Sequence, residues 1–242
     1  MALPIIKTPI YTLTLPSTGS TYEYRPYVVK EEKNLIVAME SQDSTIMINT
    51  LKEIVRSCLF DKADVNKFTM FDLEFCFTRL RSVSSGSEAN LQAKCQAKEC
   101  VGTHDIVVDL GKVEVVGEMV SVKERTIKLT DEGVGVVLKY PTIKDLTKYG
   151  VIDSTGKDEM AMMILAIVSS IDSIYDADEV YAAEDSNKDE LVAFVEQLNN
   201  TQLQKLAEFF KSIPSLKHVE EYDCKVCGHH NVVTLSGMQD FF

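Results

Sequence analysis

Apolar and polar side chains alternate along the first thirty residues, which is the period of a β-strand with one buried face. The alternation runs from Ile10 to Leu15, breaks at the turn-forming sequence Pro16-Ser-Thr-Gly19, and returns from Tyr22 to Tyr27. Two alternating stretches joined by a short turn predict a β-hairpin at the start of the chain.

Helical patterns follow the hairpin. Apolar residues at three- and four-residue spacing predict helices over residues 30–41 and 44–60, the second with Ser44 as its N-cap. A third helix is predicted to begin at Thr69, and Gly86 can end it. The aromatic content of this third segment favours a helix buried in the core.

The rest of the chain changes type twice. Residues 88–122 have a strand-like pattern, and residues 125–140 predict a second hairpin with its turn at Asp131-Glu-Gly133. Helical segments are predicted at residues 145–149, 157–171, 189–198 and 201–213, before Pro214. The last 25 residues return to strand. This order of strands and helices predicts an α+β fold.

The chain of 242 residues with 45% hydrophobic content can bury a core of its own. Its start lacks the basic stretch, apolar segment and cleavage site of a secretory signal. The most apolar stretch, residues 160–171, is shorter than the roughly 18 apolar residues that suggest a membrane span. We therefore expect a soluble intracellular protein without a membrane partner, and a buried helix at this stretch.

The formal net charge of −12 comes from 37 acidic and 25 basic side chains. This field repels phosphate backbones, so nucleic acid is an unfavourable partner. The acidic excess is greatest over residues 172–190. We interpret that segment as a solvated loop or helix edge, with a docking surface for a basic partner as the alternative.

Four of the six cysteines form two pairs. Cys224-Lys-Val-Cys227-Gly228 has the two-residue spacer and following glycine of a zinc knuckle, and Cys95 and Cys100 are separated by four residues. In a chain without an export signal the thiols should be reduced, so paired spacing favours a metal over a disulfide.

The sequences after the two pairs match each other. CVGTHDIVVDL follows the first pair and CGHHNVVTL the second, and both read as cysteine, glycine, histidine and then a strand. A strand candidate also precedes each pair, so each pair should cap a hairpin, as in a zinc ribbon. Two facing hairpins would supply Cys95, Cys100, Cys224 and Cys227 to one Zn²⁺, and four protein ligands leave no open position, which makes the site structural.

Other arrangements of these residues stay open. The cysteines could be reduced without a metal, or His104, His229 or His230 could replace one cysteine ligand. Four thiolates also suit an iron–sulfur cluster, although a split ribbon with hairpin turns favours zinc. Cys58 and Cys76 lie among apolar residues at helical spacing and are expected to be ordinary buried cysteines.

Sequence motifs of common enzymes are absent. The chain has no phosphate-binding loop, no dinucleotide fingerprint and no H-E-x-x-H helix. All four histidines lie in or just before the cysteine regions, so no separate Cys-His or Ser-His-Asp set can be assembled. We therefore expect a non-enzymatic binding or structural protein without a small-molecule substrate.

Three segments resemble the T4-type bacteriophage baseplate hub protein family, and the likeness extends along nearly the whole chain. They are RPYVVKEEKNLIVAMESQD (residues 25–43), RLRSVSSGSEANLQAKC (79–95) and CKVCGHHNVVTLSGMQDFF (224–242). The resemblance implies a hub subunit or a chaperone-like hub assembly factor of a contractile tail. Its partners would be other hub or tail proteins, and its location the host cytoplasm during assembly or the virion baseplate. The alternative function is a zinc-ribbon regulator that binds RNA polymerase or nucleic acid.

The predicted organisation has three parts. Residues 1–87 form an N-terminal hairpin plus helices, residues 88–110 and 217–242 form the halves of a split zinc-ribbon-like sheet, and residues 111–216 form a hairpin plus a mainly helical insertion. The zinc ion would act as a clasp that closes the insertion as a loop.

Overall fold

The computed structural model of the protein describes residues 6–153, 159–237 and 240, and it has the predicted α+β composition. Its helices are α1 (Val29–Ser41), α2 (Ser44–Cys58), α3 (Met70–Ser84), α4 (Ile143–Lys148), α5 (Glu159–Ser170), α6 (Lys188–Glu196) and α7 (Asn200–Ser212). Short 3₁₀ turns lie at Val65–Lys67 and Leu110–Lys112. None of the helices in these described ranges has the length and apolar character needed to span a bilayer.

The strands are β1 (Tyr11–Thr14), β2 (Thr21–Tyr24), β3 (Glu88–Lys94), β4 (Thr103–Asp109), β5 (Glu114–Val116), β6 (Thr126–Lys128), β7 (Gly135–Leu138), β8 (Ile171–Tyr175), β9 (Val180–Ala182), β10 (Ser215–Asp223) and β11 (His230–Ser236). They form two hairpins, β1-β2 and β3-β4, a three-stranded sheet in the order β11-β10-β5, and a four-stranded sheet in the order β6-β7-β8-β9. Every pairing is antiparallel.

The N-terminal prediction of a hairpin and three helices is confirmed, with one change at a helix start. Asp43, not Ser44, is the N-cap of α2, because its carboxylate accepts hydrogen bonds from the N–H groups of Thr45 and Ile46 at 2.8 and 3.1 Å. Thr69 caps α3 as expected from its position, and it forms a reciprocal capping box with Asp72.

The segment between the two cysteine pairs contains more sheet than its pattern predicts. The predicted helix over 157–171 is α5, whose described part begins at Glu159; Lys157 and Asp158 lie outside the described residues. The chain then passes directly into β8. The interpretation of residues 172–190 as a loop or helix edge is therefore wrong for β8 and β9, which pair with each other and, through β8, with β7.

Helix α3 contributes side chains to all three apolar clusters found among the described residues. Phe77 lies in the N-terminal cluster with α1, α2 and the first hairpin, Phe71 lies in the cluster around β7 and helices α5 to α7, and Phe75 packs against a cluster of residues from β3, β4, β10 and β11. Arg79 extends this last contact, since its guanidinium donates to the backbone oxygens of Leu110, Gly111 and Val113. The β3-β4 and β10-β11 hairpins, whose turns carry the two cysteine pairs, are thus attached to a helix that belongs to the main core.

Candidate metal centre

Each cysteine pair lies in the turn of an antiparallel hairpin. The β3-β4 hairpin closes with Lys94 opposite Thr103, and the β10-β11 hairpin closes with Asp223 opposite His230. The turns are built alike, because the N–H of the first cysteine donates to a backbone oxygen on the returning side in both. That bond joins Cys95 to Gly102 and Cys224 to His229, at 2.8 Å in each case. The predicted pair of capped hairpins is confirmed.

The two turns face each other and bring the four sulfur atoms together. All four Sγ atoms of Cys95, Cys100, Cys224 and Cys227 lie within 4.8 Å of one another, and they form the one such group of possible ligands found in the described residues. Cys95 and Cys227 are 3.7 Å apart, and Cys100 and Cys224 are 3.6 Å apart, although each of these pairs joins different hairpins.

These distances fit a zinc tetrahedron. Zinc–thiolate bonds of about 2.3 Å place tetrahedral sulfur ligands about 3.8 Å apart. The measured sulfur distances are close to that edge length, and they are too long for disulfide bonds of about 2.05 Å. Thiolate sulfur is a ligand that zinc prefers, so both the donor chemistry and the spacing suit the ion.

Backbone N–H groups point at the sulfurs, as in a knuckle. Gly102 N–H lies 3.4 Å from Cys100 Sγ, and Val226 N–H lies 3.4 Å from Cys224 Sγ. Burial raises the pKa of Cys224, but N–H groups of Cys227 and Val226 and the His104 ring donate to its sulfur and lower its pKa to about 5 overall. The neighbouring sulfurs act in the opposite direction on Cys227, because the His229 N–H lowers its pKa but burial and the other three thiols raise it to about 12, and the pKa of Cys100 is raised as well. The four sulfurs therefore do not all lose their protons easily side by side, and a bound cation would relieve their mutual repulsion.

The histidines occupy positions around the sulfurs rather than among them. His104 Nε2 lies 3.1 Å from Cys224 Sγ, and its ring packs on Tyr222 at 5.3 Å between centroids. His230 turns to the other side, with Nδ1 2.9 Å from an oxygen of Asp223. His229 is exposed and contributes its backbone oxygen to the turn. The geometry gives His104 the position of a hydrogen-bond donor to a ligand.

Gly102 allows the two turns to approach this closely. A Cβ atom at this residue would lie 3.1 Å from Cys224 Sγ, 3.2 Å from His104 Nε2 and 3.2 Å from Val226 Cγ2. Contacts this short would push the second turn away by a few tenths of an ångström. The glycine after the first cysteine pair therefore has a packing role across the two hairpins.

A polar contact missed by sequence reasoning joins the hairpins beside the sulfurs. Asn231 is fully buried; its Oδ1 accepts from the N–H of Gln96 at 2.8 Å, and its Nδ2 donates to His229 O at 2.8 Å. Tyr222 adds a second bridge from its hydroxyl to Lys94 O at 3.0 Å. The alternation of β11 could have identified Asn231, because it shares the inward face with Leu235.

The other two cysteines lie away from the centre. Cys58 and Cys76 are fully buried in the N-terminal cluster, which confirms the expectation from their helical spacing. Burial raises the pKa of Cys58 to about 11 and raises that of Cys76 further. Both thiols therefore stay protonated near neutral pH.

Comparison with known proteins bears on function. The chain matches the family model described as T4 bacteriophage base plate protein over residues 8–242. No curated protein and no solved structure matches it. The match covers almost the whole chain, so it includes the hairpins, the helical core and the cysteine turns, and it confirms the baseplate resemblance of the three sequence segments. The chain therefore belongs to the T4 bacteriophage base plate protein family.

Proposed function

We propose that the protein is a non-enzymatic component of the central hub of a contractile-tail baseplate, as a hub subunit or as a hub assembly factor. The observation that carries this proposal is the family match over residues 8–242. The hub assignment within the baseplate rests on the likeness of residues 25–43, 79–95 and 224–242 to hub proteins.

We further propose that Cys95, Cys100, Cys224 and Cys227 hold one structural zinc ion. The support is the group of four sulfurs within 4.8 Å, drawn from two hairpins. A bound zinc would neutralise and cross-link the thiolates, and four protein ligands would leave it no position for a substrate or water. The centre would then maintain the arrangement of the hairpins, without a catalytic role.

The zinc would join distant parts of the chain. The hairpins are separated by the segment that holds β6 to β9 and α4 to α7, so the site would close this segment as a loop. Strand β5 already pairs with β10, where Val115 lies opposite Leu216. Leu216 is buried in the apolar cluster that β3, β4, β10 and β11 form, and Val115 packs against that cluster. We propose the domain division at residues 88–110, 111–216 and 217–242, with β5 and the first residues of β10 as the strand segments through which the insertion joins the ribbon sheet.

Elemental analysis of the purified chain tests the metal. We expect about one zinc per chain, and we expect Cys224→Ser to lose the zinc and to open the hairpins to limited proteolysis. Cys58→Ser is the matched control, because this thiol lies in the separate N-terminal cluster and its replacement should leave the zinc content unchanged. A folded wild-type chain free of metal would overturn the zinc proposal.

Mass spectrometry of purified virions and of infected cells tests the hub assignment. A hub subunit should be present in virions at a fixed ratio to other baseplate proteins. An assembly factor should be absent from virions but should co-purify with hub proteins from infected cells. Co-purification with RNA polymerase alone would contradict both roles and would favour a regulator instead.

A further inference from the structure

The β8-β9 hairpin and the loop that leads from it to α6 carry most of the acidic excess of the chain. Residues 172–190 hold eight acidic side chains and one basic side chain, Lys188, so this segment contributes −7 of the net charge of −12. None of the eight acids forms an ion pair with a basic side chain in the part of the chain that the structure describes. The segment therefore presents negative charge that the described fold does not balance by ion pairs.

Strand β9 leaves one edge of its backbone open. It is the last strand of the sheet β6-β7-β8-β9. The N–H of Ala183, just after β9, donates to Asp172 O of β8 at 2.9 Å. Because bonded residues alternate along an antiparallel pair, the N–H groups of Val180 and Ala182 point away from β8. Val180 is 71% exposed, so this edge is accessible to a partner strand.

A cavity with aromatic walls lies beside this edge. It has a volume of about 430 Å³ and lies between the hairpin and α6, with Tyr175, Tyr181 and Phe194 among its lining residues. The two charged residues of the lining, Asp176 and Glu190, are both acidic, and no basic side chain of the described residues lines the cavity. The Tyr181 hydroxyl donates to Asp176 at 3.1 Å, so this ring is held next to a carboxylate.

Hydrogen bonds fix the two carboxylates of the cavity without neutralising them. Asp176 accepts from the N–H groups of Asp178 and Glu179 at 2.9 and 2.8 Å, and these bonds lower its pKa. Glu190 accepts from the N–H of Asn187 at 3.0 Å, in the capping box that begins α6. Fixed carboxylates beside aromatic rings suit a guanidinium, whose planar face stacks on a ring while its N–H groups bind carboxylate oxygens.

We propose that β9 and this cavity, together the acidic edge site, bind an extended arginine-bearing segment of another protein. The segment would add to β9 as an antiparallel strand, like every other pairing in the sheet, and an arginine on the Tyr181 face would enter the cavity. The unbalanced acids select a basic partner, and the open edge selects extended backbone. The same surface of a second copy is acidic and cannot supply such a segment. The inference depends neither on the metal centre nor on the hub assignment.

Fluorescence anisotropy with labelled peptides of about ten residues tests the proposal on the wild-type chain. The parent peptide alternates arginine with valine, and two derivatives of equal charge carry N-methyl groups on the valines or on the arginines. With arginines on the Tyr181 face, the N–H groups that bond β9 belong to the valines. The valine derivative should therefore bind at least about tenfold more weakly than the parent at about 0.15 M salt, and the arginine derivative about equally. Equal binding of the derivatives, or a loss for the arginine derivative alone, would overturn the proposal.

Neutralising the lining acids places the binding at the cavity. The double variant D176N/E190Q keeps side-chain oxygens that can accept the turn and cap hydrogen bonds, and it should weaken binding of the parent peptide at least about tenfold. The control E40Q/E118Q has the same net charge and neutralises two exposed acids outside the cavity, so it should change binding less than about twofold. An equal loss in both variants would overturn the proposal. The N-methyl comparison uses the wild-type chain, so it decides the question even if D176N/E190Q unfolds.

Discussion

The side chain of Asn231 accepts a hydrogen bond from the backbone N–H of Gln96, at 2.8 Å, although 135 positions separate the two residues. Gln96 follows the first cysteine of one turn, and Asn231 lies at the start of the returning strand of the other. The same side chain also donates to His229 O. One buried amide therefore connects both cysteine turns, and it does so without using a sulfur atom.

Replacing Asn231 by alanine should destabilise the cysteine hairpins by about 1–2 kcal/mol, because the Gln96 N–H loses its acceptor and a fully buried side chain is removed, while the His229 carbonyl keeps its bond from the Cys224 N–H. Urea unfolding of both proteins in the presence of zinc measures the effect. Asn90→Ala is the matched control, because Asn90 is exposed on β3 and should change stability by less than about 0.5 kcal/mol. Equal stability of Asn231→Ala and wild type would contradict a connecting role for the amide.

Removing the His104 ring should weaken binding of the proposed zinc without changing its stoichiometry. His104→Ala removes a donor 3.1 Å from Cys224 Sγ, and loss of such an outer partner costs about 10–100-fold in metal affinity. Competition with a chromophoric chelator measures the affinity. His230→Ala is the control, since His230 pairs with Asp223 away from the sulfurs. If His104→Ala lost all zinc while Cys227→Ser retained it, the histidine would be a ligand in place of that cysteine.

Replacing Arg79 by methionine should loosen the hairpins from α3. The guanidinium donates to three backbone carbonyls of the segment after β4, those of Leu110, Gly111 and Val113. It also lies 4.9 Å from the centre of the Phe75 ring. Methionine keeps most of the apolar stem but none of the donors. We expect a loss of about 1.5–3 kcal/mol in the free energy of unfolding, the range for hydrogen bonds from a charged group.

Arg56→Met is the matched control for Arg79. Arg56 forms ion pairs with Glu53 and Asp61, but its side chain is 53% exposed, and such pairs contribute at most about 1 kcal/mol. Hydrogen exchange locates the change: Arg79→Met should increase exchange in β3, β4 and the 3₁₀ turn at Leu110–Lys112. Equal effects of the two variants would show that the contacts to the loop carbonyls do not support the hairpins.

The cysteine hairpins are predictable from sequence because their signals are local. A short cysteine spacer with a nearby glycine specifies the turn, and the alternation after it specifies the strand. The repeat of this pattern around Cys100 and Cys227 then indicates that the turns face one another. The same holds for α3, where Thr69 and Asp72 form the capping box that begins the helix.

The strand β8 is not predictable in this way. It follows Ser170 of α5 without a glycine or proline to mark the change, and its inward positions include Ser173, which hides the apolar alternation. Its conformation depends on pairing with Val136 and Val137 of β7, far earlier in the chain. The contact between Asn231 and Gln96 was not predicted for a related reason. The two residues are distant in sequence, and Asn231 binds the backbone N–H of Gln96, which leaves no signal in the side-chain pattern.

The ionisation of Glu31 makes the stability of the fold depend on pH under acidic conditions. Burial raises the pKa of this carboxyl, but hydrogen bonds from Arg25, the Val28 N–H and Ser57 outweigh burial and lower its pKa below the usual 4.5. A carboxyl whose folded pKa is lowered stabilises the fold above its unfolded pKa, and this contribution is lost as pH falls through 4.5 toward the folded pKa.

Glu31→Gln should therefore lower the free energy of unfolding by about 1–2 kcal/mol at pH 7, with the difference from wild type shrinking below pH 4.5. Urea unfolding at a series of pH values measures this difference. Both proteins retain the four cysteines, so acid release of the proposed zinc would affect them equally and cancel in the comparison. Glu53→Gln is the control, because its pair with Arg56 is exposed and should contribute little at any pH. A Glu31→Gln difference that persists unchanged well below the folded pKa would show that shape, and not the ion pair with Arg25, sets the contribution of this residue.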